Sequence, residues 1–310
     1  MISAPVSATR APRLRKGDTV ALVAPAGPVP RDLLDRAVLV LRSWGLAVRM
    51  YDSVHAGNPT FDYLAGTDAD RAADFQQAWL DPAVSAVFAA RGGYGCMRMV
   101  DLVDWSRLRS AGPKLFAGSS DTTALHEAVG VHLGLSTLFS PMPATSHFDD
   151  VAAAGLRRML FEPEQVVRLG GPAAVALRGG TAVGVTVGGN LSLLVASIGA
   201  PEHRPARGGI ALLEDVTENV YRLDRLLTQL LRVGWFDGVA GIALGSWTDC
   251  GPPEDIRALM LDRLGPLGVP IVQELGFGHH NGALTVPLGV RARLDADAGT
   301  LTLLEPALSC

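Results

Sequence analysis

Apolar residues follow two rhythms along the first half of the chain. Val20–Ala24, Val84–Ala90 and Lys114–Gly118 contain short, nearly unbroken apolar runs, the pattern of strands covered on both faces. Ala47–Tyr51 reads as a further strand. Between them Leu33, Leu34, Ala37, Val38, Leu41 and Trp44 recur at helical spacing, and Asp68–Leu80 reads as a second helix. Thr122–Leu133 reads as a third, with Ala124, Leu125, Ala128, Val129 and Leu133 inward. Strands alternating with helices predict βαβ units and a mainly parallel sheet. In such sheets the functional loops lie at the carboxyl ends of the strands. Three loops fall there: Pro25–Pro28, Arg91–Gly95 and Ser119–Asp121.

The rhythm changes after about residue 160. Phe161–Gly180 carries two Gly-Gly pairs and two prolines, which suits a linker. Beyond it come short β-like runs at Gly209–Leu213, Gly241–Leu244, Val269–Gln273, Leu284–Leu288 and Thr300–Leu304, broken by helices near Leu191–Ile198 and Val220–Arg232. The expected architecture is α/β: a parallel-sheet domain over 1–165, a linker over 166–180, and a smaller, β-rich, barrel-like domain over 181–310.

Composition narrows the function classes. The 310 residues are 48% hydrophobic and 19% charged with a net charge of −4, an ordinary globular balance. No basic run points to nucleic acid, and nowhere do about 20 apolar residues run together as a membrane span needs. The first residues lack the continuous apolar segment of a signal peptide, and Cys96, Cys250 and Cys310 are odd in number and far apart. A reducing, cytoplasmic setting without disulfides is expected. Asn190-Leu191-Ser192 matches the glycosylation sequon, a chance match in such a setting.

Ordinary cofactor and metal motifs are missing. His126-Glu127 opens like a zinc-protease motif, but Gly130 stands where the second histidine should be. Neither glycine-rich nucleotide-binding motif occurs, so neither dinucleotide nor P-loop binding is indicated, and the cysteines lack zinc spacing. The candidates for chemistry are nucleophilic instead. Residues 114–123 read as strand, sharp turn and helix start, which would lift Ser120 above the sheet beside free helix amides. The alternative is that Ser119, Ser120 and Asp121 only cap a helix. A serine nucleophile needs a base and an orienting acid. Among His55, His126, His132, His147, His203, His279 and His280, the pair in the glycine-flanked loop Phe277–Gly282 is the better placed, or is merely solvent-exposed. Glu214 and Asp215 follow an apolar strand and could orient such an imidazole, or merely open a turn. The glycines after Arg91 would let backbone amides approach a ligand, or simply form a tight turn.

In order and spacing these segments form a set. Val20-Ala-Leu-Val-Ala-Pro-Ala-Gly, Tyr63-Leu-Ala-Gly-Thr-Asp with Arg71, Ala90-Arg-Gly-Gly-Tyr-Gly95, Gly118-Ser-Ser-Asp121, Gly188-Gly-Asn-Leu191, Leu213-Glu-Asp-Val216, Tyr221-Arg-Leu-Asp224, Phe277-Gly-His279 and Pro287-Leu-Gly289 together resemble the LD-carboxypeptidase family over about residues 13–306. The resemblance implies a flavodoxin-like N-terminal domain, a β-rich C-terminal domain and a site between them. It puts the nucleophile on Ser120, the acid on Glu214 and the histidine on His279, with Ser119, Asp215 and His280 as the rival registers. Backbone amides of Gly93 and Asp121 are the implied oxyanion donors. It also implies a cytoplasmic homodimer that hydrolyses the bond before the terminal D-alanine of murein tetrapeptides, without a cofactor. A branch of the same family cleaves microcin C-type aminoacyl nucleotides, for which Trp247 would be a base-stacking candidate, or else a plain packing residue. A non-catalytic two-domain ligand binder is the reading from another class.

Overall fold

A computed structural model describes residues 7–309; Cys310 and the first six residues lie outside the described part. Cys96 and Cys250 are both buried free thiols. The first half contributes β1 (Thr19–Val23), β2 (Ala47–Met50), β3 (Val84–Ala89), β4 (Leu115–Gly118) and β5 (Thr137–Phe139). They pair in parallel in the order β2-β1-β3-β4-β5, the flavodoxin-like order expected. Helices α1 (Arg31–Ser43), α2 (Asp68–Leu80), α3 (Cys96–Met99), α4 (Trp105–Ser110), α5 (Thr123–Ala128) and α6 (Asp150–Phe161) connect and cover the strands.

The unbroken apolar runs have a direct physical cause. Val20 and Leu22 of β1 face one core cluster, while Ala21 and Val23 face another containing Phe75 and Trp79 of α2. Helix α2 starts at a reciprocal cap, in which the Asp70 amide donates to Thr67 Oγ1 at 3.1 Å and the Thr67 amide to Asp70 Oδ2 at 3.2 Å. The helix expected over 122–133 is divided. A 3-10 turn over Ser120–Thr122 leads into α5, and a π-type turn over Val129–Leu133 closes at Gly134 with φ +68°.

The second half forms an eight-stranded sheet curled as a half-barrel. Its strands are β6 (Arg168–Leu169), β7 (Val175–Arg178), β8 (Thr181–Asn190), β9 (Gly209–Val216), β10 (Gly241–Thr248) and β11 (Ile271–Gln273), followed after β12 (Val286–Leu288) by β13 (Arg291–Asp295) and β14 (Thr300–Leu303). The order is β6-β14-β13-β8-β9-β10-β11-β7, with β8 to β11 parallel. Helices α7 (Leu191–Ala196), α8 (Val220–Arg232) and α9 (Pro253–Leu264) pack a third cluster around Leu213, Leu227 and Leu244. Two features depart from the sequence reading. The segment 166–180 is not bare linker but carries β6 and β7, and β12 leaves the second sheet to pair antiparallel with β5, Val286 opposite Phe139. Through β12 the halves share a sheet, and Phe277 sets its ring edge-on to Phe139 at 6.1 Å. This sets the loop after β11 against Phe139 of β5, which pairs with Gly118 at the carboxyl end of β4.

Candidate active site

Ser120 sits where β4 ends. Ser119 is extended, and Ser120 then turns to φ +61°, a left-handed conformation that costs a non-glycine residue roughly 1–2 kcal/mol. The turn is braced by Thr122, whose hydroxyl donates to the Ser119 carbonyl at 2.9 Å. A Cβ on Gly118 would meet Thr122 Oγ1 at 2.7 Å, so a residue with no side chain is needed just before the turn. Neither the 3-10 turn nor α5 has a side-chain capping bond, so Ser119 and Ser120 are not the helix caps they resemble. Ser119 is buried, whereas Ser120 is half-buried.

Glu214 and Asp215, adjacent on β9, share Asn190 as a partner but differ in the rest of their contacts. Glu214 is wholly buried, and its Oε2 lies 2.6 Å from Nδ1 of His279. Its Oε1 accepts from Asn190 Nδ2 at 3.2 Å. Asp215 accepts from the same Nδ2 at 2.9 Å and from the amide and hydroxyl of Ser192 at 2.9 and 2.6 Å. The acid paired with an imidazole is therefore Glu214.

His279 is fixed by its own backbone. Its amide donates to Ser246 Oγ at 2.9 Å and its carbonyl accepts from Thr248 Oγ1 at 2.6 Å, both on β10. Before it, Gly278 adopts φ +119°; a Cβ there would lie 2.4 Å from Ser246 Oγ and 3.0 Å from Glu214 Oε2. Burial disfavours the imidazolium, yet the charge and hydrogen bond of Glu214 and the further charge of Asp215 outweigh it. The imidazole is held above its ordinary value.

The other histidines are engaged elsewhere. His280 bonds the Asn281 carbonyl at 2.8 Å, and His147 reaches Asn281 Oδ1 at 3.3 Å. His126 is buried between Thr137 Oγ1 at 2.8 Å and the Gly118 carbonyl at 3.0 Å, a packing residue beneath the turn. His132 bonds Glu202 at 2.7 Å and stacks on Trp105, His203 bonds Ser197 at 3.1 Å, and His55 is exposed.

Ser120 makes no hydrogen bond to His279 among the described residues; such bonds are often long in unliganded enzymes. The two groups share one seam instead. The Asn190 amide donates to Thr123 Oγ1 at 3.0 Å, so the residue that holds Glu214 also holds the helix that follows Ser120. Asn190 is 3% exposed and fully engaged, which removes the sequon as a glycan site. Asn190, Thr123, Ser246 and Thr248 escaped the sequence reading; only the Gly188–Leu191 motif hinted at the first of them.

The glycine loop after β3 closes the other side. A Cβ on Gly92 would lie 3.0 Å from Ser120 Cβ and 3.2 Å from its Oγ, so this loop touches the serine. The amides of Gly93 and Asp121 have no hydrogen-bond partner among the described residues. Among those residues no group of three or more His, Cys, Asp or Glu side chains is gathered as a metal would require, and no helix is long and apolar enough to cross a membrane.

Comparison with known proteins places the chain in a family. Residues 20–140 match the LD-carboxypeptidase N-terminal domain and residues 183–294 the LD-carboxypeptidase C-terminal domain. A putative carboxypeptidase of Streptomyces coelicolor is 58% identical over 304 residues, covering 96% of this chain and 97% of that one. The murein tetrapeptide carboxypeptidase of Pseudomonas aeruginosa is 33% identical over 298 residues, covering 90% and 93%. The microcin-immunity protein MccF, solved with glutamyl sulfamoyl guanosine, superposes with a TM-score of 0.87 at 22% identity, covering 97% and 99%, a likeness of fold. With both halves matched and the relatives aligned almost end to end, the chain belongs to the LD-carboxypeptidase family.

Proposed function

We propose that the chain hydrolyses the bond between an L-centre and the terminal D-alanine of murein tetrapeptides, with Ser120 as nucleophile, His279 as base and Glu214 as its orienting acid. The observation that carries this reading is the 2.6 Å Glu214–His279 pair at the seam that holds the strained Ser120 turn. The buried carboxylate fixes the proton on Nδ1, leaving Nε2 as the basic nitrogen. Nε2 takes the Ser120 proton as Oγ attacks the scissile carbonyl, and the amides of Gly93 and Asp121 hold the resulting oxyanion. The imidazolium then protonates the departing D-alanine nitrogen. Water, deprotonated by the same nitrogen, releases the shortened peptide and restores Ser120.

The murein substrate is favoured by the Pseudomonas relative's name and by the position of Trp247. That indole is buried in the third core cluster, 7% exposed, and offers no face to a nucleotide base. The same reading places the enzyme in the cytoplasm as a homodimer; sedimentation of the purified protein tests the assembly. The decisive experiment is D-alanine release from a murein tetrapeptide, with a microcin-type aminoacyl nucleotide in parallel. Release by the wild type and its loss in Ser120→Ala is the expected result. Undiminished release in that variant would remove Ser120 from the chemistry, and turnover of the nucleotide alone would redirect the substrate.

A further inference from the structure

One peptide unit beside the site is gripped at both ends. Arg71 of α2 is 0% exposed, and its Nη1 donates to the carbonyls of Pro25 and Gly95, each at 2.7 Å. Its Nη2 pairs with Asp68. The next atom pair along the chain, the Cys96 amide, donates to Asp121 Oδ2 at 2.8 Å. The Gly95 carbonyl and the Cys96 amide belong to the same peptide bond. A cation therefore holds its oxygen and a carboxylate its hydrogen, a polarised chain in which each contact strengthens the other. Gly95 has room for nothing more: with φ +138°, a Cβ there would lie 2.4 Å from Arg71 Nη1.

The place of this peptide gives the grip its consequence. It lies two residues beyond Gly93, and Asp121 directly follows Ser120. The same guanidinium secures the loop after β1, whose Gly27 amide donates to the Gly92 carbonyl at 3.0 Å. Three loops from three strands are thus tied at one point: Pro25–Gly27 after β1, Gly92–Cys96 after β3 and Ser120–Asp121 after β4.

We propose that Arg71 and Asp121 are a positioning pair, setting the separation of the Gly93 and Asp121 amides by clamping the Gly95–Cys96 peptide between them. The proposal rests on the oxyanion role given to those amides above. Neither side chain touches the substrate; both act through the backbone whose amides do. The pair determines how well a developing oxyanion is held, and has little influence on how tightly the uncleaved peptide binds.

Arg71→Lys, Asp121→Asn and the double variant test this by two readouts, turnover of a murein tetrapeptide and the rate of Ser120 labelling by a fluorophosphonate, whose phosphoryl oxygen occupies the oxyanion position. Expected is a fall of about 10- to 100-fold in kcat and in labelling rate for each single variant, with KM within about threefold. Because both residues grip one peptide, the double variant falls little further than the worse single one. Folded variants with kcat and labelling within about twofold of wild type, or losses that multiply in the double variant, would overturn the clamp. Asp121→Asn keeps the shape of the side chain and carries the test alone should Arg71→Lys not fold. A wild type that is labelled but leaves murein peptides intact defeats the substrate reading, and the labelling rates still decide the clamp. A wild type that is not labelled defeats both.

Discussion

Glu214 and His279 stand 65 residues apart in sequence and 2.6 Å apart in space, with the carboxylate wholly out of water and the imidazole at the edge of the seam. Burial alone would keep the imidazole neutral; the carboxylate reverses that. The base works in its neutral form, so activity should rise with pH through a value above the ordinary histidine range. Glu214→Gln keeps the shape and removes the charge. Burial then dominates, and the acid limb of the kcat/KM profile should move to lower pH while the plateau falls by about 1,000- to 10,000-fold. A limb that stays in place would mean that Glu214 does not set the imidazole.

The positive φ of Ser120 separates chemistry from stability. Ser120→Ala and Ser120→Gly both lose the hydroxyl and should both fail to release D-alanine. Only glycine relieves the left-handed backbone, so Ser120→Gly should be the more stable of the two by about 1 kcal/mol in urea unfolding. Equal stabilities would show that the turn carries no strain.

The features legible in the sequence were those written locally. β1, β3 and β4 are buried on both faces, and their apolar runs give the parallel sheet and its functional edge. β6 and β7 were hidden because they are short and only partly buried, so the segment read as a linker. β8 was hidden by Gly184, Gly188 and Gly189, which break strand patterning; a Cβ on Gly188 would meet the Leu212 carbonyl at 2.2 Å. The return of β12 to the first sheet is a long-range pairing that no local pattern encodes. In the site, the residues alone left Ser120 balanced against a helix cap and Glu214 against an acidic turn. Resemblance chose among them. The pairing of Glu214, rather than Asp215, with His279 appears only when β9 and the loop after β11 are placed side by side.

Gly92 is the sharpest steric probe of the site. It has no positive φ that a side chain would strain, so the effect of Gly92→Ala comes from the Cβ alone, which would meet Ser120 Cβ at 3.0 Å and Met142 Cε at 3.1 Å. The methionine end can yield, whereas the serine is fixed by its turn. Gly92→Ala should therefore displace the nucleophile and lower kcat/KM by roughly 10- to 100-fold, with little change in melting temperature. A variant as active as wild type would show that the loop and the serine are not held against each other.

Away from the site, Glu127 on α5 is a carboxylic acid whose burial, opposed by a hydrogen bond from Ser197 and reinforced by the charge of Glu202, lifts it from 4.5 to about 8. Its Oε2 is buried without a hydrogen-bond partner. The folded chain thus holds this proton more tightly than the unfolded chain does. The group favours folding fully below about pH 4.5, and that contribution is lost as pH rises toward about 8. Glu127→Gln supplies an uncharged side chain of the same shape at every pH. Its melting temperature should match wild type near pH 5 and exceed it by a few degrees at pH 8, the gap opening across that window. A gap of equal size at both values would assign the effect to packing and not to the proton.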